Sequence, residues 1–339
     1  MSTLTASPAA TSSPPHVSPL VMRVLGACAL AHLINDLIQA VLPSIYPMLK
    51  ANYGLSFTQV GLITLTFQLT ASLLQPWIGY HTDRHPKPWL LPAGMVCTLA
   101  GILMLAFVGT FPAILLAAAL IGVGSSTFHP ETSRVARLAS GGRYGLAQST
   151  FQVGGNTGSA LGPLLAAAII IPYGQDHIAW FGLFAVFAIL VLHGLSRWYR
   201  NHLNLFKLKQ GSKATHGLSK SRVTFALMVL AVLVFSKYFY MSSLTSYFTF
   251  YLIEKFNLSV ASSQLYLFLF LGAVAAGTFF GGPIGDRIGR KTVIWFSILG
   301  AAPFTLALPY VDLFWTAMLS VVIGFILASA FSAIVVFAQ

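Results

Sequence analysis

The chain has 339 residues, of which 56 % are apolar and 8 % charged. A soluble globular domain carries roughly a quarter charged residues, so this composition excludes a water-soluble enzyme or binding module and predicts an all-α polytopic membrane protein. The net charge of +12 rests on 19 Lys and Arg against seven Asp and Glu. The bases lie almost wholly on one side of the expected helices, which assigns them to membrane topology and lipid headgroups rather than to nucleic acid.

Residues 1–20, "MSTLTASPAATSSPPHVSPL", predict a disordered tail. They lack the basic start and apolar centre of a signal peptide. Ten apolar runs follow, at about 22–44, 57–80, 89–110, 112–136, 144–171, 178–197, 223–248, 261–284, 291–310 and 313–338. Each can cross a bilayer as a helix, and runs of this length without alternation exclude a barrel. The first six make an N-terminal bundle over 21–198, joined by a basic linker loop, 199–221, to a C-terminal bundle over 222–339. The loops on the N-terminal side carry the bases, from Arg23, Arg84 and Lys87 to Arg287, Arg290 and Lys291. The opposite side has Lys50 and Lys255, and Lys237 falls inside a helix. This asymmetry predicts a cytoplasmic N-terminus.

Charges inside spans are costly and mark candidate sites. In "AHLINDLIQAVL", His32 and Asp36 are four residues apart and share a face, with Asn35 and Gln39 beside it. Asp36 and His32 are candidates for proton coupling, or a structural carboxylate fixing helix packing. In "GSSTFHPETSRVAR", Glu131 and His129 are further candidates for coupling. Glu131 can instead pair with Arg134, three residues on. Lys237 is an isolated ammonium in the seventh helix, with Tyr240 on the same face. It is a candidate anion-binding group, with snorkelling as the alternative. In the fifth helix Gln148, Gln152 and Asn156 repeat every four residues, to line a pathway or to bond helix to helix. Asn35, Gln39, Gln152, Asn156, Lys237 and Tyr240 make up the expected substrate-binding set. The two cysteines, Cys28 and Cys97, both fall in expected helices, and no Cys/His spacing of zinc type occurs. "HPE" and "HTDRH" lack a second ligand cluster. The expectation is a transporter with no metal, no cofactor and no enzymatic chemistry.

An internal repeat marks the two halves. "GYHTDRHPKP", 79–88, and "GPIGDRIGRK", 282–291, stand 203 residues apart after equivalent helices. Gly79 and Gly282 are expected to allow close helix approach. Asp83 and Asp286 are expected to accept backbone N–H groups at the next helix. Arg84, Arg287 and Arg290 are expected to reach carbonyls or carboxylates of a neighbouring helix. These loops resemble the helix 2–3 and 8–9 motif of the major facilitator superfamily. "GSALGP", with Gly158, Gly162 and Pro163, resembles its drug:proton antiporter motif, although small-residue packing with a kink reads equally well.

"HLINDLIQ", "TLTFQLTASLLQPWIGY", the stretch from "GSSTFHPETSRVARLAS" to "GGNTGSALGPLLAA" and "FSKYFYMSSLTSYFTFYL" resemble the fosmidomycin resistance protein family. So do "AAGTFFGGPIGDRIGRK" and "GFILASAFSAIVVFAQ". The resemblance implies a major facilitator-type fold of twelve helices in the bacterial inner membrane; the oligomeric state is not readable from the sequence, with a monomer as the expectation. It also implies proton-driven export of the phosphonate antibiotic fosmidomycin or related compounds by alternating access. With ten helices and an end at Gln339, the C-terminal bundle is expected to be incomplete. Proton-coupled uptake of a small anionic metabolite, or an inactive truncated fragment, is the alternative.

Overall fold

The computed structural model describes residues 20–203 and 220–329. Residues 1–19 of the expected tail, 204–219 of the expected linker and 330–339 of the last span lie outside the described residues, as do the side chains of Gly282, Asp286 and Arg290.

The described residues are helical throughout, and the breaks follow from proline, glycine and capping chemistry. Helix α1 (Met22–Ser44) ends just after Pro43 and is followed by the short α2 (Tyr46–Tyr53), which stops at Gly54 with φ 62°. Helix α3 (Phe57–Gln68) starts in a capping box. Ser56 Oγ accepts from the Gln59 N–H at 3.2 Å, and Gln59 Oε1 accepts from the Ser56 N–H at 2.9 Å. A π-helical turn, Leu69–Leu73, leads on into α4 (Leu74–Arg84). After α5 (Leu90–Phe107) and α6 (Phe111–Ala139), α7 (Tyr144–Leu165) runs through a second π-helical turn, Ala166–Ile170, into α8 (Ile171–Tyr173). Both π-helical turns share a cause. Pro76 and Pro172 have no N–H for the carbonyls of Ser72 and Ala168, four residues back, and both carbonyls fall inside the widened turns.

A 3₁₀ segment, Gln175–Trp180, leads into α9 (Phe181–Asn201). Helix α10 (Lys220–Phe256) is longer than the expected span and takes in Lys255; it ends where Asn257 turns to φ 54°. It is followed by α11 (Val260–Ile288), and Gly289 at φ 93° then separates that helix from α12 (Arg290–Leu299). The expected ninth span is broken again by Pro303 and Pro309 into α12, α13 (Ala302–Ala307) and a 3₁₀ turn, before α14 (Leu313–Ser329).

Eight stretches among the described residues are long and apolar enough to cross a membrane. Their outward faces carry large apolar side chains such as Trp77, Phe107, Phe239 and Leu306, each about 70 % exposed in the isolated chain. In water such a surface would drive aggregation; facing acyl chains it costs nothing. The buried apolar side chains form one large cluster over α1–α9 and a second built mainly on α10, α11 and α14. Glycines set the close crossing of α7 on α1. A Cβ at Gly154, Gly158 or Gly162 would lie 2.8 Å from the Ala29 carbonyl carbon, 2.8 Å from that of Leu33 and 2.5 Å from Ala40 Cβ. Only a missing side chain lets the two backbones meet.

The two sets of helices meet along α7 and α11, and at the Tyr46 end of α1. There Gln264 Nε2 donates to the Ser44 carbonyl at 2.7 Å, the Thr64 and Ser246 hydroxyls bond at 3.1 Å, and the Tyr247 hydroxyl donates to the Phe57 carbonyl at 3.3 Å.

Candidate functional site

Between the two sets of helices lies a cavity of about 1030 Å³. Its wall is apolar over most of its area, with residues such as Phe67, Phe151, Met241 and Leu271, and uncharged polar groups are set into it: Gln39, Gln68 and Gln75, then Gln148, Gln152 and Asn156 on α7, with hydroxyls from Thr64, Ser133, Ser242, Thr245 and Thr278. Four groups of other kinds face it, namely Asp36, His32, His129 and Lys237.

Asp36 is the centre of the best-defined cluster. His32 Nε2 lies 3.2 Å from its Oδ2 and His129 Nε2 lies 3.9 Å from its Oδ1. The Asn35 and Gln39 amides donate to Oδ1 at 3.0 and 3.4 Å. Ser125 Oγ donates to Gln39 Oε1 at 3.3 Å and so orients that amide. The tautomer of His32 follows from its other neighbour. Nδ1 is 2.7 Å from the Phe151 carbonyl, which can only accept, so Nδ1 carries a hydrogen. The neutral ring then has a bare lone pair at Nε2, facing a carboxylate oxygen. Their 3.2 Å contact requires one proton between them, on His32 or on Asp36. The ring is stacked on Phe151 at 4.0 Å and is 2 % exposed. A Cβ at Gly155 would lie 2.5 Å from His32 Cε1 and 2.7 Å from Asp36 Oδ2, so this glycine is what lets the pair close.

The expected residues divide. His32, Asp36, Gln39 and His129 meet at one wall, and Asn35, fully buried, holds Asp36 from behind. Gln152 Nε2 donates to Asn156 Oδ1 at 3.3 Å, and both line the cavity. Lys237 Nζ donates to Ser297 Oγ at 3.3 Å from the cavity margin. Tyr240 is turned away from the cavity and bonds Thr305 at 2.8 Å. It shares a face with Lys237, as its spacing predicts, but that face looks toward α12 and α13.

Glu131 points elsewhere. It is fully buried, does not line the cavity, and accepts from Arg134 Nη1 at 2.5 Å. The same guanidinium pairs with Asp83 and donates to Thr82 Oγ1 at 3.1 Å. Asp83 is therefore paired with a guanidinium of α6, a partner other than the backbone N–H groups expected for it. Arg84 lies 3.8 Å over the Tyr80 ring in place of the expected carbonyl or carboxylate. Gly79 is not forced by close approach, since a Cβ there would meet Pro130 Cβ at an ordinary 3.8 Å. Arg287 is exposed. Gly158 and Gly162 serve the α1–α7 crossing, with Pro163 buried in the same helix.

Gln68, Ser72 and Gln75 also line the cavity; their spacing of four and three residues in "FQLTASLLQ" is a one-face signal that a closer reading of the second span would have found. No metal-ligating cluster was expected, yet the fold assembles one from two helices. His32 Nε2, His129 Nε2 and a carboxylate oxygen of Asp36 lie within 4.8 Å of one another.

Two helical sets around a central cavity lined with polar and charged groups on an apolar wall define the class: a membrane transporter. A family profile described as Major Facilitator Superfamily matches residues 28–339. The chain is 61 % identical over 316 residues to a protein named fosmidomycin resistance protein of Escherichia coli (strain K12), covering 93 % of this chain and 78 % of that protein. It is 39 % identical over 323 residues to an uncharacterized MFS-type transporter of Bacillus subtilis (strain 168), covering 94 % and 78 %. Among solved structures it resembles a bacterial homolog of the human lysosomal transporter Spinster, with TM-score 0.71 at 16 % identity, covering 94 % of this chain and 74 % of that one. A D-xylose-proton symporter gives TM-score 0.68 at 15 % identity, covering 93 % and 82 %. At such identities these two speak for the fold alone. The chain belongs to the major facilitator superfamily and, within it, to the fosmidomycin resistance protein family.

Proposed function

We propose that this transporter exports fosmidomycin or a related small antimicrobial compound in exchange for protons, from a bacterial inner membrane with the N-terminus in the cytoplasm. The name of the 61 %-identical relative supports the substrate, and the one-sided distribution of Lys and Arg supports the orientation. The observation that carries the mechanism is the His32–Asp36 contact at the cavity wall, which holds one proton in reach of the same space as Lys237. In this reading the pair loads and releases the proton, and His129 relays it. Lys237 leaves Ser297 to bind the phosphonate oxygens, with the amides of Gln152 and Asn156 completing the contact. The 21–198 and 222–339 halves rock about the site for alternating access. Arg134, with Glu131 and Asp83, holds α4 to α6 within the first half.

The test is transport in sealed vesicles with an imposed pH gradient. Fosmidomycin should move against the proton gradient, and collapsing the gradient with a protonophore should stop it. Movement in the same direction as the protons, or movement indifferent to the gradient, would refute the exchange.

A further inference from the structure

We propose that His32, Asp36 and His129 form a binding site for a divalent transition-metal ion of the zinc and cobalt class, bridging α1 and α6 at the wall of the central cavity. The donor set is two imidazole nitrogens and a carboxylate oxygen. Such a set suits late first-row divalent ions and is a poor match for magnesium or calcium, which take oxygen.

The geometry fits with an inward movement of His129. Ligands about 2.0–2.2 Å from a tetrahedral zinc stand roughly 3.3–3.5 Å from one another. The His32–Asp36 separation is already 3.2 Å. His129 Nε2 faces the other carboxylate oxygen, Oδ1, at 3.9 Å, and the three donor atoms lie within 4.8 Å of one another, so His129 must move inward by about half an ångström to somewhat over one. His129 is free to make that adjustment, being part-exposed to the cavity where His32 is packed. The surroundings are those of a ligand set. Nδ1–H of His32 donates to the Phe151 carbonyl, which fixes the ring and leaves Nε2 as the coordinating nitrogen. Asn35 and Gln39 donate to the carboxylate and fix its plane. Gly155 places no side chain against the Nε2 and Oδ2 faces. The fourth ligand of a tetrahedral ion comes from the cavity that all three residues line. An ion here replaces the proton that the His32–Asp36 contact needs and ties the two helices together.

The experiment uses the full chain purified in detergent without a histidine tag, titrated with Co²⁺ alone. Expected are a visible d–d band at one equivalent, loss of the band on adding Zn²⁺, and a rise in thermal midpoint with either ion. His129→Gln and His32→Asn should each weaken Co²⁺ at least tenfold. The pair His81→Asn with His85→Asn removes the neighbouring imidazoles at the end of α4, whose rings are 5.5 Å apart, and should leave the titration unchanged. Because His32 is buried, His129→Gln is the deciding variant, and its thermal melt without metal checks the fold. Absence of the band, a band unaffected by His129→Gln in folded protein, or a band lost with His81 and His85 would overturn the site.

Discussion

Replacing Gly155 by Ala adds one methyl group at the tightest point of the site. Its carbon would sit 2.5 Å from His32 Cε1 and 2.7 Å from Asp36 Oδ2, where ordinary contact begins at 3.4 Å. The ring must retreat by about 0.9 Å and the carboxylate by about 0.7 Å. The ring is held from behind by its stack on Phe151 and its bond to the Phe151 carbonyl, so the pair opens from 3.2 Å to beyond hydrogen-bond reach. A hydrogen bond to a charged group is worth about 1.5–3 kcal/mol, which is roughly 10- to 150-fold in an equilibrium. Proton-linked efflux from vesicles should fall by that factor, and the thermal midpoint should drop with it. On a His32→Ala background the methyl occupies space the ring has left, and the midpoint should not drop again. An unchanged efflux rate in Gly155→Ala, or an equal fall in midpoint on both backgrounds, would show that the glycine does not act through the pair.

Three further outcomes are expected. Asp36→Asn keeps the side-chain size but cannot cycle a proton; it should insert normally and lose pH-dependent export, measured at two pH values. Lys237→Gln should weaken binding of the phosphonate by about 1.5–3 kcal/mol and that of a neutral analogue much less, so a titration with equal losses would remove Lys237 from the site. Arg134→Met leaves the buried Glu131 carboxylate without its partner and should cost about 3–5 kcal/mol of stability in chemical denaturation. Adding Glu131→Gln should restore most of it, and no recovery would mean that the pair to Asp83 matters more.

The sequence carries faces better than partners. Asp36, His32 and Gln39 are legible because a polar stripe on an apolar helix must find other polar groups. What they find is not: His129 comes from another helix, and nothing local connects it to Asp36. Spacing separates His129 from Glu131, two residues on, but does not say that one meets the cavity and the other Arg134. Lys237 and Tyr240 show the same limit, since they share a face and that face turns toward α12 and α13. Helix existence follows from apolar length, whereas the breaks at Leu69–Leu73 and Ala166–Ile170 need the prolines to be read four residues ahead of the carbonyls they orphan. Gly155 looks like one of several small residues in "QVGGNTGSALG" until the ring that fills its place is seen.

At the Tyr46 end, the described hydrogen bonds between the two helical sets join neutral groups: an amide and a carbonyl, two hydroxyls, a phenol and a carbonyl. Each is worth about 0.5–1.5 kcal/mol net, and water satisfies both partners when they part. Among the described residues, none of these three bonds has a charged partner or a group that titrates near neutral pH. Salt and acidity in the compartment they face therefore leave their strength unchanged, whereas an ion pair in the same place would loosen in brine and on protonation. In the proposed exchange, a pH difference across the membrane then acts on the imidazoles and the carboxylate of the cavity without also loosening these three bonds.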